Sequence, residues 1–311
     1  MSSVAEKRYA IASPVDGPKE NQGATAVCLL SRLHGGGSML SAKLKTAGFV
    51  AGLSLAVAIV PSPGAAQAAK STECTKIGIC YCISADLKPA IEAKVAFFRQ
   101  LAAEARKAGK AVGYLSVPLS PTGGGYMKLN SEVAEAAQAA IEKRFGSDFV
   151  WVLNPGTVDA NLPNGSGADY MLMWTGVLEG RDGLGEDFDF VYFAGPQDFA
   201  RVFELDGNGD MARIDQYFDK RLKSDPALEK AMQGGLTKSA FRKYYALKAS
   251  SAFSRGAHDE WNIIRLVNER RRNDSRLGIG NQLPVLFDGR GVPAADAESA
   301  VSEGYVGKCK L

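Results

Sequence analysis

Residues 111–126, AVGYLSVPLSPTGGGY, decide how the chain is read. Residues 111–117 are nearly all apolar or small, begin two positions after Gly109 and stop at Pro118, the signature of a buried strand that runs into a glycine-rich loop. Upstream, residues 86–109 set Leu87, Ile91, Val95, Phe98, Leu101 and Ala105 three or four positions apart with charges between them. That is the period of an amphipathic helix, and Gly109 stops it.

Downstream the alternation repeats. A helix is expected over 130–145, capped by Asn130 or Ser131, and a strand over 149–153, FVWVL, that ends at Asn154-Pro155-Gly156. A buried helix over 167–180, a strand over 188–194, FDFVYFA, and a short helix over 197–205 follow. Helices alternating with apolar strands favour parallel pairing through right-handed crossovers, so the expected class is α/β. The expected architecture is a flavodoxin-like or Rossmann-like three-layer sandwich with a mostly parallel sheet. Helices at 214–232 and 236–253 form a helical insertion over about 206–253, and LPVLF, residues 283–287, is a last strand whose Pro284 suits an edge or a strand start. The α/β domain thus spans 111–290, preceded by a cysteine-bearing segment and helix over 69–110 and followed by a tail over 291–311.

The front of the chain has a different character. Residues 47–60, AGFVAGLSLAVAIV, form a long uncharged run preceded by Lys43 and Lys45 and followed by small residues at Ala66 and Ala68, the order of a secretory signal peptide. Residues 39–68 are read as that signal peptide, cleaved after Ala68, and residues 1–38 as a non-translated or disordered leader ahead of Met39. The mature chain is then expected to be exported, periplasmic or extracellular, with no membrane span left. The whole chain has 37 Lys and Arg against 34 Asp and Glu, but residues 1–68 hold six and three of these, leaving 31 of each sign. That balance argues against nucleic-acid binding, which needs a basic surplus. Cys74, Cys80, Cys82 and Cys309 remain, and in an oxidising compartment they read as two disulfides, at least one tying the N-terminal segment to the tail.

Ligands of an open parallel sheet collect outside the carboxyl ends of its strands. The loops there, together with residues 254–272, SRGAHDEWNIIRLVNERRR, supply the candidate site. With a helix beginning near His258, Glu260 shares a stripe with Ile263, Ile264 and Val267, so its carboxylate is partly dry and lies in a first helical turn. Such a group suits a nucleophile or base; Asp259 and Glu260 serve equally as helix caps. His258, on the other side with Trp261, is expected exposed or at a rim. Glu260, Asp198 and His258 are the candidate catalytic residues, and Tyr114, Ser116, Asn154, Gly195, Ser254, Gly256 and Asp259 the candidate ligand contacts. A small-molecule ligand is expected, with no cofactor and no metal. In LDGNGD, residues 205–210, Asp206, Asn208 and Asp210 begin like a calcium loop, but Met211 stands where a glycine is needed, and a polar turn is the competing reading.

GYLSVPLS, residues 113–120, is similar to the first strand and loop of the nucleoside 2-deoxyribosyltransferase-like family, and SRGAHDE, residues 254–260, resembles that family's Ser-Gly-Thr-x-x-Glu segment. Val117 stands at a family glycine and Arg255 separates Ser254 from Gly256. The resemblance implies a flavodoxin-like sheet and Glu260 as the nucleophile on the anomeric carbon of an N-glycoside, with Asp198 or Asp169 as its partner.

Overall fold

The computed structural model describes residues 69–277 and 280–310. The expected leader and signal peptide lie outside the described residues.

The chain begins with an antiparallel hairpin, β1 (Lys70–Cys74) and β2 (Cys80–Ser84), whose ends are bridged by the Cys74–Cys80 disulfide. A single-turn 3-10 segment leads into α1 (Lys88–Lys107), with Pro89 in its first turn, where no backbone N–H is required. Then come β3 (Ala111–Ser116), α2 (Met127–Phe145), β4 (Val150–Leu153), α3 (Gly167–Glu179), β5 (Phe190–Phe193) and α4 (Pro196–Phe203). The helical insertion comprises α5 (Asp210–Leu222), α6 (Pro226–Gln233) and α7 (Lys238–Leu247). It is followed by α8 (Arg255–Asn273), β6 (Val285–Phe287), β7 (Arg290–Gly291) and a short α9 (Ala294–Ala297).

The five-stranded sheet has the order β4-β3-β5-β6-β7, with β3, β4, β5 and β6 all parallel and only β7 antiparallel. This is the doubly wound order in which the first strand of the sheet lies between its second and third, and it places the topological switch point between the carboxyl ends of β3 and β5. Helices cover both faces, so the α/β three-layer fold stands as expected.

Strand alternation sorts the side chains into two cores. Val112, Tyr114, Val191 and Phe193 point to the side of α1, α3, α8 and the hairpin, where they meet Phe98, Trp174, Ile263 and Val267. Leu115, Val152 and Tyr192 point to the side of α2, α4 and the insertion, where they meet Leu129, Val133, Phe199 and Phe241. Gly113 lets the Phe190 ring lie flat on β3; a Cβ there would sit 2.2 Å from Phe190 Cζ.

Several boundaries move from their expected places for identifiable reasons. The single helix expected over 214–232 is two, because Pro226 cannot continue a helix and Asp225 caps the next one, accepting from Ala227 N–H at 3.2 Å. The helix expected over 236–253 stops at Leu247, since Ser251 is captured by the sheet: its N–H donates to the Ala194 carbonyl and its hydroxyl to the Ser116 carbonyl. The last strand turns back through Asp288 and Gly289, both at positive φ (52° and 79°), a two-residue turn of the kind that closes hairpins.

The C-terminal tail folds back over α8 and reaches the hairpin. Asp259 accepts from Gly304 and Tyr305 N–H at 2.7 Å each, and Asn262 exchanges two bonds with Val301. The Cys82–Cys309 disulfide, spanning 227 positions, locks the end. Both expected disulfides are therefore formed, one of them joining the N-terminal segment to the tail.

Candidate functional site

Glu260 lies at the switch point. Ser254 caps α8, its hydroxyl accepting from Ala257 N–H, so the helix begins at Arg255 rather than near His258. Glu260 is thus in the second turn, not the first, and neither it nor Asp259 is a cap. The extra turn forms because a serine cap holds the start even with Gly256 at the next-but-one position. What replaces the helix terminus as the carboxylate's support is a pair of hydroxyls from β3. Tyr114 Oη donates to Glu260 Oε1 at 2.6 Å, and Ser116 Oγ donates to Oε2 at 2.5 Å. Tyr114 and Ser116 are two apart on one strand and so face the same layer. Both are fully buried, and Glu260 is only 7% exposed.

Electrostatics follow from that enclosure. Burial pushes the Glu260 carboxyl up to about 7, against the lowering effect of the Ser116 and Tyr114 bonds; the neighbouring Asp259 charge pushes it further in the same direction. Burial, reinforced by Glu260, holds the Tyr114 phenol well above its ordinary range, so it stays a donor. Glu260 therefore changes charge near neutrality in a site with two hydroxyl donors and, among the described residues, no cation bonded to it.

The other candidates are distributed over the strand tips. Asp198 is not the partner of Glu260: its carboxylate accepts from Gly195 N–H at 3.0 Å, from the Tyr192 hydroxyl and from Arg201, and Tyr192 belongs to the opposite core. Burial raises the Asp198 pKa, with the Gly195 N–H and Arg201 opposing. Asp169 is not a partner either, since it accepts from Ser84 N–H at 2.8 Å and caps α3 together with Ser166. Asn154 closes the turn after β4, accepting from Gly156 N–H and donating to Gln138, on the α2 side. Gly195 packs against Asp288, and Gly256 lies 3.5 Å, measured from its would-be Cβ, from Met171 Sδ. Asp259 is consumed by the tail. Burial raises its pKa, and the two backbone N–H groups pull the other way.

His258 is partly buried, on the rim of a cavity of about 520 Å³ that also takes in Phe193, Ser251, Trp261, Phe287 and Val301. Its Nε2 donates to the Ala252 carbonyl at 2.9 Å, and its Nδ1 is hydrogen-bonded to the Ser302 hydroxyl at 2.9 Å. Ser251 is the residue sequence reasoning missed. It lines the cavity and touches the Ser116 carbonyl, placing the cavity one residue away from the strand tip that grips Glu260. It lay inside the helix expected over 236–253, where no signal in the sequence set it apart.

Among the described residues no group of three or more His, Cys, Asp and Glu is placed to hold a metal ion. The acids of residues 205–210 bond their own turn instead, Asp210 accepting from Asp206 and Gly207 N–H and Asp206 from Asn208 N–H. No helix among the described residues is long and apolar enough to cross a membrane.

No protein-family model, curated protein or solved structure matches the chain.

Proposed function

We propose that the protein cleaves or transfers the N-glycosidic bond of a nucleoside-like substrate, with Glu260 as the nucleophile. The observation that carries this reading is the convergence of residues 113–120 and 254–260 on one carboxylate. The two segments that resemble the deoxyribosyltransferase-like family are far apart in sequence, and Tyr114 and Ser116 of the first each donate to Glu260 of the second. In the reaction a Glu260 oxygen forms an ester bond to the anomeric carbon as the carbon–nitrogen bond breaks, and the base leaves with that electron pair and takes up a proton. Water or a second base then attacks the same carbon, loses its O–H or N–H proton to solvent and displaces the carboxylate. Tyr114 and Ser116 fix the carboxylate's orientation.

Two disulfides and the apolar run at 47–60 support reading the protein as exported, into an oxidising compartment.

A second reading has its own observation. Both Glu260 oxygens are satisfied and the residue is nearly enclosed, which is also how a structural tie between β3 and α8 is built, in a protein that binds without catalysis. Incubation with a panel of purine and pyrimidine ribo- and deoxyribonucleosides, with free base measured by chromatography, separates the two. The glycoside reading expects base release by the wild type and its loss in Glu260→Gln with the fold retained. Absence of release across the panel from folded wild type leaves the structural tie.

A further inference from the structure

We infer that the cavity between α8, the β6–β7 hairpin and the C-terminal tail is a binding site for a small planar aromatic molecule of one or two rings. The inference goes beyond the glycoside reading and does not rest on it, because Glu260 is not among the cavity's lining residues.

Size and lining define the ligand. About 520 Å³ is within the range of pockets that enclose small organic molecules, and such pockets are mainly apolar with a few polar groups at fixed positions. The wall here is aromatic: Phe193 and Trp261 lie with ring centroids 5.1 Å apart and planes tilted by 58°, and Phe287 stands beside them on β6. Val292, Pro293 and Val301 add aliphatic surface. A tilted aromatic pair offers a third ring both edge-to-face and offset-stacked contact.

The polar side-chain atoms of Trp261, His258 and Ser251 are already engaged by the protein. Trp261 Nε1 donates to the Ser299 carbonyl, both His258 nitrogens are bonded, and the Ser251 hydroxyl donates to the Ser116 carbonyl. These side chains therefore demand no charged or strongly hydrogen-bonding partner, and a flat hydrocarbon or heteroaromatic surface laid against them leaves their polar atoms satisfied. Three lining residues carry charge: Asp288, half-buried and already accepting from Gln197 N–H, and Arg290 and Asp296, both exposed. Two supports flank the aromatic wall: the Asn262–Val301 bonds on the tail side and the tight Asp288-Gly289 turn on the hairpin side.

The test is titration of the isotopically labelled full-length protein with indole, followed by heteronuclear NMR. Saturable shifts confined to the cavity residues are expected, with binding weakened at least tenfold in Val301→Trp and in Ala252→Trp. Both substitutions add bulk at exposed positions that line the cavity, and a well-dispersed spectrum shows that the fold survives. Glu260→Gln is expected to bind indole as the wild type does, so loss of the glycoside reading leaves this result standing and the reverse also holds. Shifts that do not saturate, shifts scattered over the surface, or undiminished binding in both filled variants overturn the proposal.

Discussion

Tyr114, in the middle of β3, donates its hydroxyl proton to Glu260 on α8 at 2.6 Å across 146 positions of chain. With Ser116 serving the other oxygen, the pair gives an enclosed carboxylate two charge-assisted hydrogen bonds but no opposite charge. The dryness of the site raises the proton affinity of such a group, and the two donors oppose that rise.

A pH dependence of folding follows. The folded-state pKa of Glu260, about 7, lies above its ordinary value of 4.5, so the folded protein binds the proton more tightly than the unfolded chain does. Its contribution is fully present below pH 4.5 and is lost as pH rises through 7, a difference of about 3 kcal/mol at 1.36 kcal/mol per unit. Urea unfolding between pH 4.5 and 8 is expected to show this decline, and Glu260→Gln is expected to flatten it. A wild-type slope in this window that Glu260→Gln leaves intact assigns the effect to other groups.

Removing either hydroxyl leaves a buried carboxylate oxygen without a donor. Tyr114→Phe and Ser116→Ala are each expected to cost about 1–3 kcal/mol at pH 8, where Glu260 is ionised, and less at pH 5. Both substitutions also raise the Glu260 pKa further, since each deletes a bond that favours the charged form. The acid limb of any pH–rate profile is expected to move to higher pH with them.

The tail depends on Cys82–Cys309. Cys309→Ser is expected to lower stability by about 2–5 kcal/mol and to open residues 299–310 to limited proteolysis. Wild-type resistance to protease in that variant shows instead that the hydrogen bonds to Asp259 and Asn262 hold the tail unaided.

Asp259→Asn tests that anchoring from the other side. An amide offers one acceptor oxygen where Asp259 presents two to Gly304 and Tyr305, so a loss of about 1.5–3 kcal/mol is expected. Faster hydrogen exchange at those two amides, with the sheet amides unaffected, is the accompanying sign.

The parallel sheet was legible because its strands are covered on both faces and read as apolar runs punctuated by glycine and proline. Two local signals were present but unread. Asp225-Pro226 is a cap followed by a first-turn proline, and Asp288-Gly289 is the dipeptide of a tight hairpin turn. The β1–β2 hairpin gave less to work with, since KSTEC and CYCIS are short and partly exposed and their register is fixed at the Cys74–Cys80 bridge. At the site, the dryness of Glu260 followed from its apolar stripe, and Tyr114 and Ser116 were named from their strand. Their bonds to Glu260 could not be read, nor could the exclusion of Asp198, because the sheet face a side chain takes depends on strand register. Tyr192 and Phe193 are adjacent in sequence and point into different cores.

The most direct measurement is mass spectrometry of the protein quenched in acid during reaction with a nucleoside that it cleaves. A sugar ester on the peptide bearing Glu260, absent from Glu260→Gln, is the expected result. Base release with no adduct under any quench time, or an adduct that persists in Glu260→Gln, would contradict a nucleophilic role for this carboxylate.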